Sequence, residues 1–127
     1  MPNPTAAILI IGDEILSGRT QDTNSHYLAR ELTTIGIDLR EVRVVPDERL
    51  AIVGAVNDLR ARCDDVFTSG GIGPTHDDIT ADAIAAAFGV AIGVRDDARA
   101  VLAAHYARSG IEFNAARQRM ARVPEGA

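Results

Sequence analysis

Thr68-Ser69-Gly70-Gly71-Ile72-Gly73-Pro74-Thr75-His76-Asp77-Asp78-Ile79-Thr80 is the densest group of chemistry-bearing residues in the chain. It follows a predicted strand and precedes a predicted helix. Glycines let a backbone approach an anion closely and aim N–H groups at it. A helix starting just after them adds its positive end. Ser69, Thr75, His76 and Thr80 add side-chain donors around Gly70, Gly71 and Gly73, so the segment reads as a phosphate cradle. The spacing has neither a Gly-Lys-Ser/Thr ending nor GxGxxG, so it is not a P-loop or a dinucleotide fingerprint. The competing reading is a plain glycine-rich turn, with Asp77, Asp78 or Thr80 capping the helix.

Acids beside an anion site repel the anion unless they hold a cation or act on a proton. Mg²⁺ held by one or two carboxylates plus phosphate oxygens is the usual resolution. Gly12-Asp13-Glu14-Ile15-Leu16-Ser17-Gly18 brings two more acids and a hydroxyl just past the first strand. Asp47 follows Pro46 at the end of the second. Three successive strands thus each deliver an acid to one sheet edge: Asp13 or Glu14, Asp47, and Asp77 or Asp78. Asp13, Glu14, Asp77 and Asp78 are the candidate ligands for Mg²⁺ or another divalent cation. Gly12 and Ser17 join the cradle residues as candidate phosphate contacts. An ordinary N-cap at Asp47 and solvated loop acids at Asp13 and Glu14 remain open. Arg117, Arg119 and Arg122 read as a solvated helix or as phosphate holders.

The elements that must position these residues follow from periodicity. Ala6–Ile11 is a continuous apolar run, as in a strand buried on both faces. The polar stretch after Gly12 reads as a loop or short irregular turn. A helix capped by Thr23 or Asn24 runs to about Ile35 on a stripe of Tyr27, Leu28, Leu32 and Ile35. Ile37–Val45 reads as strand. A helix capped by Asp47 runs to about Ala61 and faces the core with Leu50, Val53, Val56 and Leu59, Ile52 flanking. Asp65–Ser69 is a strand and Thr80–Phe88 a helix ended by Gly89. Val90–Val94 is a weak strand. A helix capped by Asp96 or Asp97 runs to Gly110, and a short one from Asn114 to Met120. Val123–Ala127 trails off. Strand, helix, strand, helix, strand, helix predicts a mostly parallel sheet covered on both faces, an α/β class with three α/β/α layers.

Composition sets outer limits. The chain has 127 residues, 46% hydrophobic and 24% charged, enough for one domain with one core. Its formal net charge is −5. That balance argues against a nucleic-acid binder, and 4% aromatic content argues against a base-stacking surface. One cysteine, Cys63, excludes an intrachain disulfide and a cysteine metal cluster. The six-residue run at Ala6–Ile11 is far short of a membrane span and unlike a signal peptide, so a cytoplasmic location with no membrane partner is expected.

GDEILSG, the Asp22-Thr23-Asn24 that follows it, PDE at Pro46–Glu48 and TSGGIGPTHDDIT together carry a family resemblance. The chain resembles the molybdopterin-binding domain of MogA/MoaB-type molybdenum-cofactor proteins and of CinA-like, competence/damage-inducible proteins. The histidine in the loop looks most like the CinA-like branch, which includes the related domain of eukaryotic FAD synthases. The resemblance implies a three-layer α/β/α fold that binds molybdopterin or an adenine nucleotide at the glycine-rich edge, and a role in molybdenum cofactor biosynthesis. Asp47 and Asp78 match acids that the family uses in catalysis, and Gly70, Gly71 and Gly73 match its ligand-binding glycines. In MogA-like adenylyltransferases the pterin's terminal phosphate attacks the α-phosphorus of MgATP. The CinA-like branch is associated with metal-dependent cleavage of a pyrophosphate such as ADP-ribose, and the FAD synthase relative suggests FAD. A non-catalytic binding or assembly domain is the third reading. Relatives form dimers or trimers, so a homo-oligomer is expected. The family's segment normally continues past the VPEGA at Val123–Ala127 with a glycine- and proline-containing loop. Residues 1–127 therefore read as a single domain shortened at its C-terminus, without the amidohydrolase domain, and deamidation is not expected of it.

Overall fold

The computed structural model describes residues 2–127. Its centre is β1 (Thr5–Ile11), flanked by β2 (Asp38–Val45) and β3 (Asp65–Ser69) in a parallel sheet of order β2-β1-β3. Ala6 to Ile11 are all buried. A strand paired on both edges and covered on both faces needs such an unbroken apolar run.

Successive side chains of β1 point to opposite faces, and this splits the core in two. Ala7, Leu9 and Ile11 pack with Ile52, Ala55, Val56 and Leu59 of α3 (Arg49–Arg62) and Ala83 of α4 (Thr80–Phe88). Ala6, Ile8 and Ile10 pack with Leu32 of α2 (Asn24–Thr34), supported by Leu28 and Phe67. The result is the expected three-layer α/β/α arrangement.

Downstream lie β4 (Ile92–Val94), α5 (Asp96–Ser109), α6 (Ala115–Gln118), a 3₁₀ turn over Arg119–Ala121 and β5 (Arg122–Pro124). Strands β4 and β5 form a separate antiparallel pair, matching Gly93 with Val123. Residues 122–124 are therefore strand, where the sequence reading has Val123–Ala127 trailing off. Three residues ending in proline carry no alternation, and the partner strand is distant in sequence.

Other expectations shift. Asp13–Leu16 forms a one-turn helix, α1, within the stretch that reads as a loop or short irregular turn. Its two acids sit in the first turn, where the helix dipole favours them, and Ile15 packs on the β1 cluster. On α3 the buried face is Ile52, Ala55, Val56 and Leu59, while Leu50 is 84% exposed. Tyr27 and Ile35 of α2 are exposed as well. The α2 start is served by Asp22, whose carboxylate accepts from the backbone N–H and hydroxyl of Ser25. Asp96 and Asp97 lie inside the first turn of α5, with Arg95 at the cap position. Asn114 does cap α6, accepting from the Arg117 N–H. No described helix is long and apolar enough to cross a membrane.

Candidate functional site

The order β2-β1-β3 reverses the direction of chain progression beside β1. In open α/β sheets ligands bind at such a switch point, outside the carboxyl ends of the strands. The carboxyl ends of β1 and β3 here border a hollow of about 210 Å³ whose lining includes Ile11, Glu14, Asp22, Asn24, Ser69 and Gly70. Asn24 Nδ2 donates to Ser69 Oγ at 3.0 Å, tying the start of α2 to the end of β3.

The turn after β3 depends on glycine. Gly70 has φ of 100°, and a Cβ there would lie 2.0 Å from the Ile11 carbonyl oxygen. Gly71 has φ of 67°, and a Cβ there would lie 2.2 Å from Thr80 Oγ1. The buried Thr80 donates its hydroxyl to the Gly70 carbonyl at 2.8 Å, and its N–H to the Gly71 carbonyl at 3.1 Å. Thr80 thus clamps the glycine pair and does not cap α4. Further along, Asp78 Oδ2 accepts from the N–H and hydroxyl of Thr75 at 3.0 and 2.9 Å. A Cβ on Gly73 would come within 2.7 Å of that same oxygen. The Asp78 carboxylate therefore braces the loop from inside.

Asp47 leaves the α3 cap position to Glu48, which makes no side-chain cap bond. Its carboxylate accepts from the Asp13 N–H at 3.0 Å, while Asp13 accepts from the Asp47 N–H at 3.1 Å. This reciprocal pair joins the ends of β1 and β2. Asp47 Oδ1 also lies 3.6 Å from where a Gly71 Cβ would stand, so it faces the glycine turn. Gly12 has extended backbone, and the Glu14 carboxylate folds back over it.

Asp13, Glu14, Asp47, Asp78, Ser69, Thr75 and Thr80 are thus gathered around the three strand-end loops. Three candidates are not. Ser17 sits at the end of α1, accepting from Arg19 Nε at 3.1 Å. His76 and Asp77 face each other at 3.3 Å, with side chains 89% and 84% exposed. Among the described residues no group of three or more His, Cys, Asp or Glu side chains is placed to hold a metal. Asp13, Glu14, Asp77 and Asp78 therefore do not form a protein-only cage.

A second hollow, about 140 Å³, opens on the other side of the turn. Gly71, Gly73, Asp78 and Ala81 line it, and Arg119 and Arg122 close it. The sequence signal for this wall is the arginine spacing at 117, 119 and 122, which does not reveal that the 3₁₀ turn folds back onto the glycine loop. Wider depressions beside β4 and β5, about 390 and 350 Å³, are walled mainly by backbone and aliphatic side chains such as Val94, Val123 and Ile84. They gather no chemistry comparable to the glycine turn.

The family described as "Probable molybdopterin binding domain" matches residues 7–123. A protein of Caldivirga maquilingensis is 40% identical over 122 residues, covering 96% of this chain and 48% of that protein. A probable FAD synthase of Caenorhabditis elegans is 50% identical over 84 residues, covering 66% of this chain and 16% of the synthase. The crystal structure of CinA, of unknown function, from Thermoplasma acidophilum superposes with a TM-score of 0.87 at 32% identity. It covers 98% of this chain and 73% of that one. The chain spans about half the length of several of the curated relatives it matches.

Proposed function

The chain belongs to the molybdopterin-binding domain family, and on that premise we propose that it binds a phosphorylated small molecule, a molybdopterin or an adenine nucleotide, across the Ser69-Gly70-Gly71 turn. The observation that carries this is the glycine turn itself. It sits at the switch point between β1 and β3, and at Gly70 a side chain would collide with backbone. Glycine lets the turn close tightly on the end of β1, and its backbone N–H groups, with the first turn of α4 behind them, are the donors proposed for the phosphate.

The chemistry proposed is metal-dependent phosphoryl transfer, within molybdenum cofactor biosynthesis. The donor set fits a divalent cation shared with the ligand. Asp13 and Asp47 each give one oxygen to the other's N–H and keep the second. Mg²⁺ commonly takes one or two carboxylates and completes its shell with phosphate oxygens and water. Such a cation would neutralise charge building on the phosphoryl group. The protein's own part is to hold that group against the turn and to orient the attacking oxygen. The attacker distinguishes adenylyl transfer, where it is a pterin phosphate, from pyrophosphate hydrolysis, where it is water. The second reading is a pyrophosphatase acting on FAD or ADP-ribose, and likeness to a probable FAD synthase supports only the choice of FAD as a ligand to test. Assembly as a dimer or trimer and a cytoplasmic location belong to the same proposal.

Incubation with Mg²⁺, Mn²⁺ or Co²⁺ and ADP-ribose, FAD, or ATP plus molybdopterin, with products followed by chromatography, tests it. AMP from FAD or ADP-ribose identifies the hydrolase, and adenylylated pterin the transferase. Binding without turnover leaves a binding module, and neither binding nor turnover sinks the proposal. Asp78→Asn keeps an oxygen acceptor for Thr75, so stability should fall by no more than about 1 kcal/mol. Metal-dependent binding or turnover should fall strongly. Unchanged metal titration and turnover in the folded variant would remove Asp78 from the site.

A further inference from the structure

The 140 Å³ hollow has features that the glycine turn alone does not explain. Arg119 makes no side-chain hydrogen bond or ion pair among the described residues, and its Nε is buried without an acceptor. Arg122 is held through one terminal nitrogen by Asp82, yet its Nε is also buried and unmatched. A buried donor without a partner is costly, and two on arginines that line one hollow are unusual in a folded chain. Both residues wall the same hollow, opposite Gly71 and Gly73. Ala81, in the first turn of the nine-residue α4, also lines the hollow and brings the positive helix end to it. The one acid in the wall, Asp78, already receives two donors from Thr75.

We propose that this hollow is a phosphoryl subsite, in which Arg119 and Arg122 grip a terminal or bridging phosphate of a ligand whose body lies in the 210 Å³ hollow across the turn. The inference rests on the glycine-turn reading above and deepens it, because Gly70 lines one hollow and Gly71, the next residue, lines the other. A ligand filling both must carry its phosphate at one end or in a pyrophosphate bridge. Arginine suits this role, since its planar fork matches phosphate oxygens in pairs. The ion pair with Asp82 fixes Arg122 in advance. Arg119 has no such tether among the described residues, which leaves its guanidinium donors unengaged for the ligand.

Calorimetric titration with inorganic pyrophosphate tests the subsite without assuming the rest of the ligand. The wild-type chain should bind pyrophosphate, and Arg119→Gln should weaken binding about tenfold or more. Arg119→Lys should recover part of the loss, as a point charge without the fork. Arg108→Gln, which removes an equal charge from α5, should leave the affinity unchanged. Equal binding by wild type and Arg119→Gln overturns the subsite, as does an equal loss in Arg108→Gln. Wild type that binds FAD or ADP-ribose but not millimolar pyrophosphate overturns the subsite alone and leaves the glycine-turn reading standing. Loss of every ligand overturns both. Matched urea midpoints confirm that each variant is folded.

Discussion

From Thr5 to Phe88 the three strands are parallel-paired and the helices give residues to one of two clusters split by β1. From Ile92 to Ala127 the strands are three residues long, α5 buries no side chain, and Ala121 is the only buried apolar residue among those described. The second region is tied down by specific contacts: the β4–β5 ladder, the Arg122–Asp82 ion pair, and Tyr106 stacked on Phe113 at 5.5 Å. Apolar burial is the dominant favourable term in folding, so stability should reside in the first region. The candidate site nonetheless uses both. The first supplies the glycine turn and its acids, and the second supplies the arginines.

The largest test of this contrast pairs two truncations. Leu59→Ala, in the fully buried face of α3, should cost about 2–5 kcal/mol. Val101→Ala, 70% exposed on α5, should stay within about 0.5 kcal/mol. Chemical denaturation measures both, and similar losses would erase the contrast. Next is Gly70→Ala, which strains a left-handed backbone and meets the Ile11 carbonyl. A loss of about 1–3 kcal/mol is expected, together with loss of ligand binding. Gly110→Ala, also at positive φ but with nothing within 4 Å, should cost less.

The smallest effect belongs to the surface network of Glu41, Arg43, Asp58 and Arg62 on β2 and α3. Hydrogen bonds from Arg62 and then Arg43 hold the Glu41 carboxyl below its ordinary value. Those from Arg43 and then Arg62 do the same for Asp58. Stability from a depressed carboxyl is fully present above its unfolded value and is lost as pH falls through the lowered folded value. Glu41→Gln should therefore be slightly less stable than wild type at neutral pH. The gap should close as pH drops below the usual carboxylate range, and shrink in high salt. A gap that persists in acid would contradict the ionic origin.

The central strand and the glycine turn were legible because one requirement dominates each. Residues 6–11 must be apolar on both faces, and Gly70 must lack a Cβ. Helix α3 was legible as a helix but not in its facing. Its apolar residues fall on two overlapping stripes, and the small Ala55 that decides between them gives little signal. Asp47 could be read as a cap or a site acid. The choice rests on Asp13, at the neighbouring strand end, whose N–H donates to the Asp47 carboxylate. Long-range pairing likewise hid β5 and the arginine wall, since both depend on where residues 119–124 return to α4 and β4.

Residue-by-residue NMR titration of the labelled chain with ADP-ribose or FAD and Mg²⁺ shows whether the ligand binds at the glycine turn. Saturable shifts of the Ser69, Gly70, Gly71 and Gly73 amides are expected, with Asn24 on one side and Arg119 on the other. Those of exposed α5 should stay in place. Saturable shifts confined to the β4–β5 depressions, or none at the glycine turn, would contradict it.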